Sequence, residues 1–302
     1  MTVRARAVGH LDVGIVAAAI LVASTIGVGV HGRGSTQPLV SAIAGPVDYV
    51  YKTVDRTELR LHVFSPPGDR SDSRAAIVFF FGGRWTRGEV AQFFPAARHL
   101  AARGMVAIVA DYRVFERHRT TPFEAMADAK SAIRWVRAHA RELAVDPGRI
   151  VASGGSSGGH IALSAAVFDR FDEPGENAGI SSKPDALVLF YPVVDTSKAP
   201  TFTALAPGRE EEGSPFLHLD RVVPPTLILH GTADTLPIES VERFCAKARA
   251  LQSRCDVIGL EDAGHGFFEN PQIAAGRWYR EGLLEMERFL AGLGFLSDGA
   301  RR

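Results

Sequence analysis

A serine inside a glycine-rich turn is the first place in this chain where residue types and spacing could do chemistry. Residues 150–153 (Ile-Val-Ala-Ser) form a short apolar run. Gly154-Gly155-Ser156-Ser157-Gly158-Gly159 interrupts it, and an alanine-rich run of helical character follows from His160. Strand, tight turn, helix is the context in which G-x-S-x-G holds a serine in strained backbone with its hydroxyl above a sheet. The flanking glycines are needed because a side chain there would strike the neighbouring strand or helix. Two frames fit, Gly154-x-Ser156-x-Gly158 and Gly155-x-Ser157-x-Gly159. The first is preferred: the strand then ends just before the turn, and Ser157 opens the helix with its N–H facing a developing oxyanion. A phosphate-cradling turn is the weaker reading, because no lysine stands in the P-loop position and the spacing misses the dinucleotide fingerprint.

A nucleophilic serine needs a base, and the base needs an orienting acid. Where a G-x-S-x-G turn carries the serine, the acid and then the histidine follow it in the chain. That order filters the ten histidines. Beyond the turn lie His160, His218, His230 and His265, and only His265 leaves room for an acid that follows a strand. It sits in Glu261-Asp262-Ala263-Gly264-His265-Gly266-Phe267-Phe268, where glycines on both sides free the backbone to aim the imidazole. Asp234 is the preferred acid, four residues beyond a strand ending at His230, in a loop at the carboxyl end where chemistry gathers in parallel sheets. Asp195 and Asp262 are its rivals, and either is otherwise a turn residue or cap. His160 and His230 read as packed or backbone-bonded histidines.

With these roles His265 takes the Ser156 proton as Oγ attacks an ester carbonyl, and Asp234 stabilises the imidazolium. Water then releases the acyl group. The tetrahedral oxyanion needs donors, each worth about 3 kcal/mol on removal. The N–H of Ser157 is one; Gly83 and Arg84, in Gly82-Gly83-Arg84-Trp85 after another apolar run, are expected to supply the others. Trp85, His118, Phe216 and Phe267, together with Phe115, are candidate pocket walls.

The elements that must position these groups read as follows. Residues 49–54 and 58–64 alternate in period two around Asp55-Arg56-Thr57, a hairpin with one buried face. Residues 75–81, 105–110, 150–153, 186–191, 226–230 and 256–260 are short apolar runs of the kind covered on both faces. Helical periodicity lies between them, at 90–103, 122–143, from the serine turn to 168, at 238–251 and at 274–290. Alternating strands and helices imply right-handed crossovers. The expected fold is therefore an α/β three-layer sandwich, with a mostly parallel sheet of about eight strands and an antiparallel N-terminal edge. Residues 192–223 are an irregular, lid-like insertion with a charged run at 209–212.

The 302 residues carry 34 Lys+Arg and 34 Asp+Glu. A neutral chain without a basic stripe argues against nucleic acid as a partner. The N-terminus differs from the rest: Arg4 and Arg6 precede an uncharged apolar run over 13–30, which reads as an export signal or, uncleaved, a membrane anchor. Residues 1–44 are thus set apart from a single domain over 45–302, and the protein is expected to be exported, periplasmic, extracellular or membrane-anchored. Cys245 and Cys255 are the only cysteines; in an exported protein they are free to pair or to remain separate thiols. With no histidine at ligand spacing they make no zinc site.

F-F-F-G-G-R-W at 79–85, D-Y-R at 111–113, G-G-S-S-G-G-H at 154–160, H-G-T-A-D at 230–234 and G-H-G-F-F at 264–268, in this order, resemble the α/β hydrolase superfamily. The chain is most similar to its carboxylesterase and acetyl-esterase-like branch, which includes the hormone-sensitive-lipase type, and the likeness spans about residues 49–296. The resemblance implies serine hydrolysis of short-chain or sugar-linked esters with no cofactor and no metal. A serine peptidase or amidase of prolyl-oligopeptidase type and a non-catalytic binding protein on the same fold are the alternatives. Two positions depart from the family pattern: Phe81 stands for the usual histidine and Arg84 for the usual third glycine. Arg84 keeps its N–H but adds a charge at the site mouth, which could narrow the acyl pocket, bind an anionic or polyol substrate, or impair the oxyanion hole.

Overall fold

The computed structural model describes residues 43–68, 73–269 and 276–296. The export-signal or anchor reading of residues 1–44 falls, apart from Ile43 and Ala44, outside them. No helix among the described residues is long and apolar enough to cross a membrane.

Eight strands form one sheet in the order β1-β2-β4-β3-β5-β6-β7-β8. β1 (Val47–Val54) and β2 (Thr57–Phe64) pair antiparallel through the Asp55-Arg56 turn, and β2 pairs antiparallel with β4 (Val106–Ala110). The remaining pairings are parallel: β3 (Arg74–Phe80) with β4 and with β5 (Val145–Gly155), then β6 (Ala186–Phe190), β7 (Thr226–Gly231) and β8 (Cys255–Leu260). The central strands are apolar from end to end because both faces are covered. Every residue of β4, β6 and β7 is buried.

Eight helices alternate with them: α1 (Phe94–Ala102), α2 (Phe115–His118), α3 (Pro122–Ala138), α4 (Ser157–Val167), α5 (Pro200–Leu205), α6 (Pro215–His218), α7 (Ile238–Ala250) and α8 (Arg277–Gly292), counted among the described residues. The start of α3 follows from its sequence. Pro122 supplies the helical φ at the first position, the Thr121 hydroxyl accepts from the Phe123 N–H at 3.3 Å, and the Glu124 carboxylate accepts from the Thr121 N–H at 2.8 Å. Together these satisfy donors that a helix N-terminus leaves open. α3 ends at Ala138, short of 143, because the segment after it turns to feed β5 rather than continuing. β5 correspondingly begins at Val145, not at 150, with the Arg74 N–H donating to the Ala144 carbonyl at 2.9 Å and Arg74 aligned with Val145. The helix expected over 90–103 opens as a 3-10 turn, Val90–Phe93, before α1.

A buried charge cluster fastens β1 to this frame. The Asp128 carboxylate on α3 is fully buried and accepts from Lys52 Nζ at 2.6 Å, from the Arg113 backbone N–H at 2.9 Å and from the Arg113 guanidinium at 2.7 Å. Glu173 takes second bonds from Lys52 and Arg113 at 2.5 and 2.7 Å. Removing one member would leave the others charged and unpaired in the interior, which costs about 3–5 kcal/mol. Cys245 on α7 and Cys255 on β8 form a disulfide, clipping α7 to the last strand.

Candidate active site

Ser156 stands between β5 and α4 with φ 53° and ψ −118°, a conformation that costs on the order of 1–3 kcal/mol and survives only where its surroundings impose it. They do. The Ser156 N–H donates to the Phe190 carbonyl at 3.0 Å, and its own carbonyl accepts from His160 and Val193 N–H at 3.0 and 3.3 Å. A Cβ on Gly154 or Gly158 would run into the carbonyls of neighbouring backbone, among them Phe80 O and, from Gly158, Phe81 O. Of the two frames, Ser156 occupies the strained apex, while Ser157 is fully buried at the first position of α4.

The loop after β7 and the loop after β8 are knotted together, which brings Asp234 to His265. Ala233 N–H donates to the Ala263 carbonyl at 3.0 Å, and Asp262 N–H to Thr232 Oγ1 at 2.9 Å. The approach is close enough that a side chain on Gly231 would collide with the Ala263 backbone. Across this junction His265 Nδ1 lies 2.9 Å from both Asp234 carboxylate oxygens, and His265 Nε2 lies 2.9 Å from Ser156 Oγ. A carboxylate only accepts, so the proton is on Nδ1 and Nε2 is free to take the serine proton. Burial alone would raise the Asp234 carboxyl, but hydrogen bonds from His265 and from the Leu236 N–H outweigh it and hold the group below its ordinary value. Behind it His230 donates Nε2–H to the Leu236 carbonyl at 2.8 Å, and burial keeps its ring neutral.

The rivals for the acid are occupied elsewhere. Asp195 caps a 3-10 turn and accepts from Ser197 and Ser214 hydroxyls at 2.6 and 3.0 Å. Asp262 is exposed, in left-handed backbone at φ 59°.

The glycine-rich segment after β3 wraps over the serine. Gly83, Arg84 and Trp85 all have positive φ, at 142°, 61° and 59°. Two of these are not glycine, so strain is concentrated here as at Ser156. Gly83's carbonyl accepts from Thr86 and Arg87 N–H at 3.1 Å each, and Trp85's from Phe115 N–H at 3.0 Å. Among the described residues no acceptor takes the N–H of Gly83, Arg84 or Ser157. Phe81, in place of the family's histidine, stacks on Tyr112 with ring centroids 4.1 Å apart, and the Tyr112 hydroxyl donates to Phe81 O at 2.7 Å. The substitution exchanges a polar ring for an apolar one buried against Tyr112.

A cavity of about 350 Å³ opens over Ser156 and His265, walled by Arg84, Trp85, Val193, Lys198, Ala199, Pro200 and Leu236 among others. Trp85 is placed by a buried contact that is easily overlooked: its indole N–H donates to His160 Nδ1 at 3.2 Å, and His160 Nε2–H donates to the Gly213 carbonyl at 2.9 Å. Burial pushes His160 down to about 4, so it stays neutral and keeps this tautomer. The other expected walls lie outside the cavity. His118 accepts the Val114 N–H at 3.0 Å. Phe216 packs under Arg243 and Lys247. Phe267 is buried against Tyr191 and Phe190, and Phe115 lies under Arg119. Val193, Lys198, Ala199 and Pro200 come from the 192–223 insertion instead, and no motif marks them.

No sequence motif marks Glu269 either. It follows the His265 loop directly, and its carboxyl lies where a Cβ on Gly82 or Gly155 would go. Burial pushes it up to about 7, against an ordinary 4.5, a gap equivalent to about 3 kcal/mol. Below pH 4.5 folded and unfolded chains both hold the proton. As pH rises from 4.5 through 7 the unfolded chain releases it first, so the folded state loses stability across that window. Glu269→Gln is therefore expected to be near neutral at pH 4 and stabilising by up to about 3 kcal/mol at pH 8, read from urea unfolding at the two pH values. An equal effect at both would refute the assignment.

A serine elbow on the carboxyl end of a mixed eight-stranded sheet, with a histidine and an aspartate from the last two strand loops, is the architecture of an α/β hydrolase. Residues 61–247 match the BD-FAE family, and the chain belongs to that family. Esterase LipC of Mycobacterium tuberculosis is 30% identical over 215 residues, covering 63% of this chain and 52% of LipC. The chain spans about half the length of the curated relatives it matches first. Among solved structures, the apo form of Thermogutta terrifontis esterase 2 superposes with a TM-score of 0.80 at 42% identity, over 84% of this chain and 97% of that one. A butyrate-bound form of the Thermogutta terrifontis enzyme gives 0.79 at 40%, over 85% and 96%.

Proposed function

We propose that this protein hydrolyses carboxylic esters through an acyl-enzyme, with Ser156 as nucleophile, His265 as base and then acid, and Asp234 orienting the imidazole. The observation that carries the reading is the unbroken relay of hydrogen bonds from Asp234 through His265 to Ser156 at the floor of an open cavity. Ser156 Oγ attacks the ester carbonyl as its proton passes to Nε2, and the Asp234 carboxylate stabilises the imidazolium. The N–H groups of Gly83, Arg84 and Ser157 receive the oxyanion. The imidazolium returns its proton to the leaving alkoxide, and water repeats the sequence in reverse. The acyl group is short: the cavity is small, and the butyrate found on the structural neighbour supports a chain of that order. The resemblance to acetyl esterases supports a carbohydrate hydroxyl as the alcohol side of the ester. The test is turnover of 4-nitrophenyl acetate, butyrate and octanoate beside an aminoacyl anilide and acetylated xylan. Acetate and butyrate are expected to exceed octanoate. Cleavage of the anilide alone would make it a peptidase, and inertness to all, with no fluorophosphonate labelling, would end the reading.

We also infer that the protein works outside the reducing cytoplasm. The Arg4/Arg6 start with its apolar run and the Cys245–Cys255 bond support this, since such bonds persist in oxidising compartments. Closing so short a loop is worth about 2–3 kcal/mol in the chain-entropy account. Cys245→Ser with Cys255→Ser is expected to lower Tm by roughly 5–10 °C, and dithiothreitol should lower the unmodified protein's Tm similarly. A Tm indifferent to both would remove this support.

A further inference from the structure

The cavity over Ser156 has a charge asymmetry. Among the described residues its wall includes two cations, Arg84 and Lys198, and no acidic side chain. Both are exposed, and among the described residues neither side chain has an ion-pair or hydrogen-bond partner. Their backbones, by contrast, are fixed. Lys198 closes the 3-10 turn Thr196–Lys198, with the next N–H, of Ala199, bonded to Thr196 O at 3.1 Å. Arg84 sits at φ 61° inside the turn that Gly83 and Trp85 carbonyls hold. Glycine would occupy that conformation without strain, and the family resemblance puts glycine there. A long cationic side chain at a strained position, lining the same cavity as a second cation from the 192–223 insertion, suits a ligand that carries the missing negative charge. Asp195 and Glu239 line an adjacent, smaller cavity, with Arg243, that shares Val193, Lys198, Ala199 and Leu236 with this one.

We propose that the preferred substrate is an ester bearing a carboxylate, which Arg84 and Lys198 bind while Ser156 attacks the ester carbonyl. The proposal rests on the esterase reading above and specifies its substrate class. Arg84 is well suited to the task, since guanidinium and carboxylate match in bidentate geometry.

Two matched ester pairs separate the possible locations of the charge. 4-Acetoxybenzoate and its methyl ester carry or lack it on the alcohol side; mono-4-nitrophenyl glutarate and its methyl ester carry or lack it on the acyl side. Rates are corrected for spontaneous hydrolysis. In one pair the ratio of kcat/KM, anionic over neutral, is expected to fall about tenfold or more in Arg84→Gln/Lys198→Gln relative to the unmodified protein. The comparison of ratios cancels intrinsic reactivity. In the unmodified protein the same ratio should fall as NaCl rises from about 20 to about 500 mM, because the Debye length shrinks to a few ångströms. That second measurement needs no variant and decides the matter if the double variant misfolds. Neutral esters turned over with ratios indifferent to salt and to both substitutions would overturn the proposal and leave the esterase reading standing. Failure to turn over any of the four esters would overturn both.

Discussion

Ser156→Ala is expected to lower kcat/KM for 4-nitrophenyl butyrate by roughly 10⁵-fold or more, to the residual supplied by binding and oxyanion donors. The size follows from geometry. The hydroxyl lies 2.9 Å from His265 Nε2, so in the proposed mechanism its loss removes the nucleophile and leaves the base with nothing to deprotonate. The fold should be indifferent. Alanine accepts φ 53° about as well as serine does, and the three backbone bonds that hold the elbow involve Ser156 N and O, not its side chain. Tm is expected to move by no more than a few degrees. A fluorophosphonate should label the unmodified protein once and the variant not at all. Undiminished turnover in the variant would mean that another group attacks the ester. Ser157 would not be the first suspect, being fully buried at the start of α4.

The residues that meet at this site were legible in the sequence because each is marked locally. Gly154 and Gly158 flag the elbow, since only the absence of a Cβ lets α4 pass the carbonyls of Phe80 and Phe81. Gly231 marks the Asp234 loop for the same reason, against Ala263. The sheet was equally readable, because strands covered on both faces are apolar without interruption. What could not be read were features decided between distant segments. Phe216 and His118 have the chemistry of a pocket wall, but one lies beneath Arg243 and Lys247 and the other caps its own turn at Val114. Aromatic identity says nothing about tertiary distance. Lys198 and Leu236 do line the cavity, and nothing nearby in sequence distinguishes them from any loop lysine or leucine. β5 runs through Pro147-Gly148, a pair that reads as a turn, because Arg74 on β3 supplies its partner at Val145. Glu269 could be found only through the fold: a carboxyl just past a histidine loop is unremarkable until Gly82 and Gly155 close around it.

Asp234→Asn should reduce kcat by about 10⁴-fold with little change in KM, although its side chain keeps nearly the same shape. The carboxylate accepts from His265 Nδ1 and so leaves Nε2 unprotonated toward Ser156. An amide can instead offer its N–H to Nδ1, which puts the imidazole proton on Nε2, where it blocks the serine. It also supplies no charge to balance the imidazolium. The stability effect has a definite pH dependence. Asp234 has its carboxyl depressed by the His265 and Leu236 hydrogen bonds despite burial. Its contribution to stability is therefore present above the ordinary carboxylate value and lost as pH falls through the lower folded one. The Tm difference between unmodified protein and variant should accordingly be largest near neutrality and shrink in strong acid, where both side chains are uncharged. Ser156→Ala combined with Asp234→Asn should be scarcely slower than Ser156→Ala alone, because groups acting as a unit do not contribute additively. Multiplying losses in the double variant would show that Asp234 acts on some path that does not run through the serine. A single variant retaining a tenth of the activity would remove it from the relay, and neither Asp195, held by Ser197 and Ser214, nor exposed Asp262 stands ready to replace it.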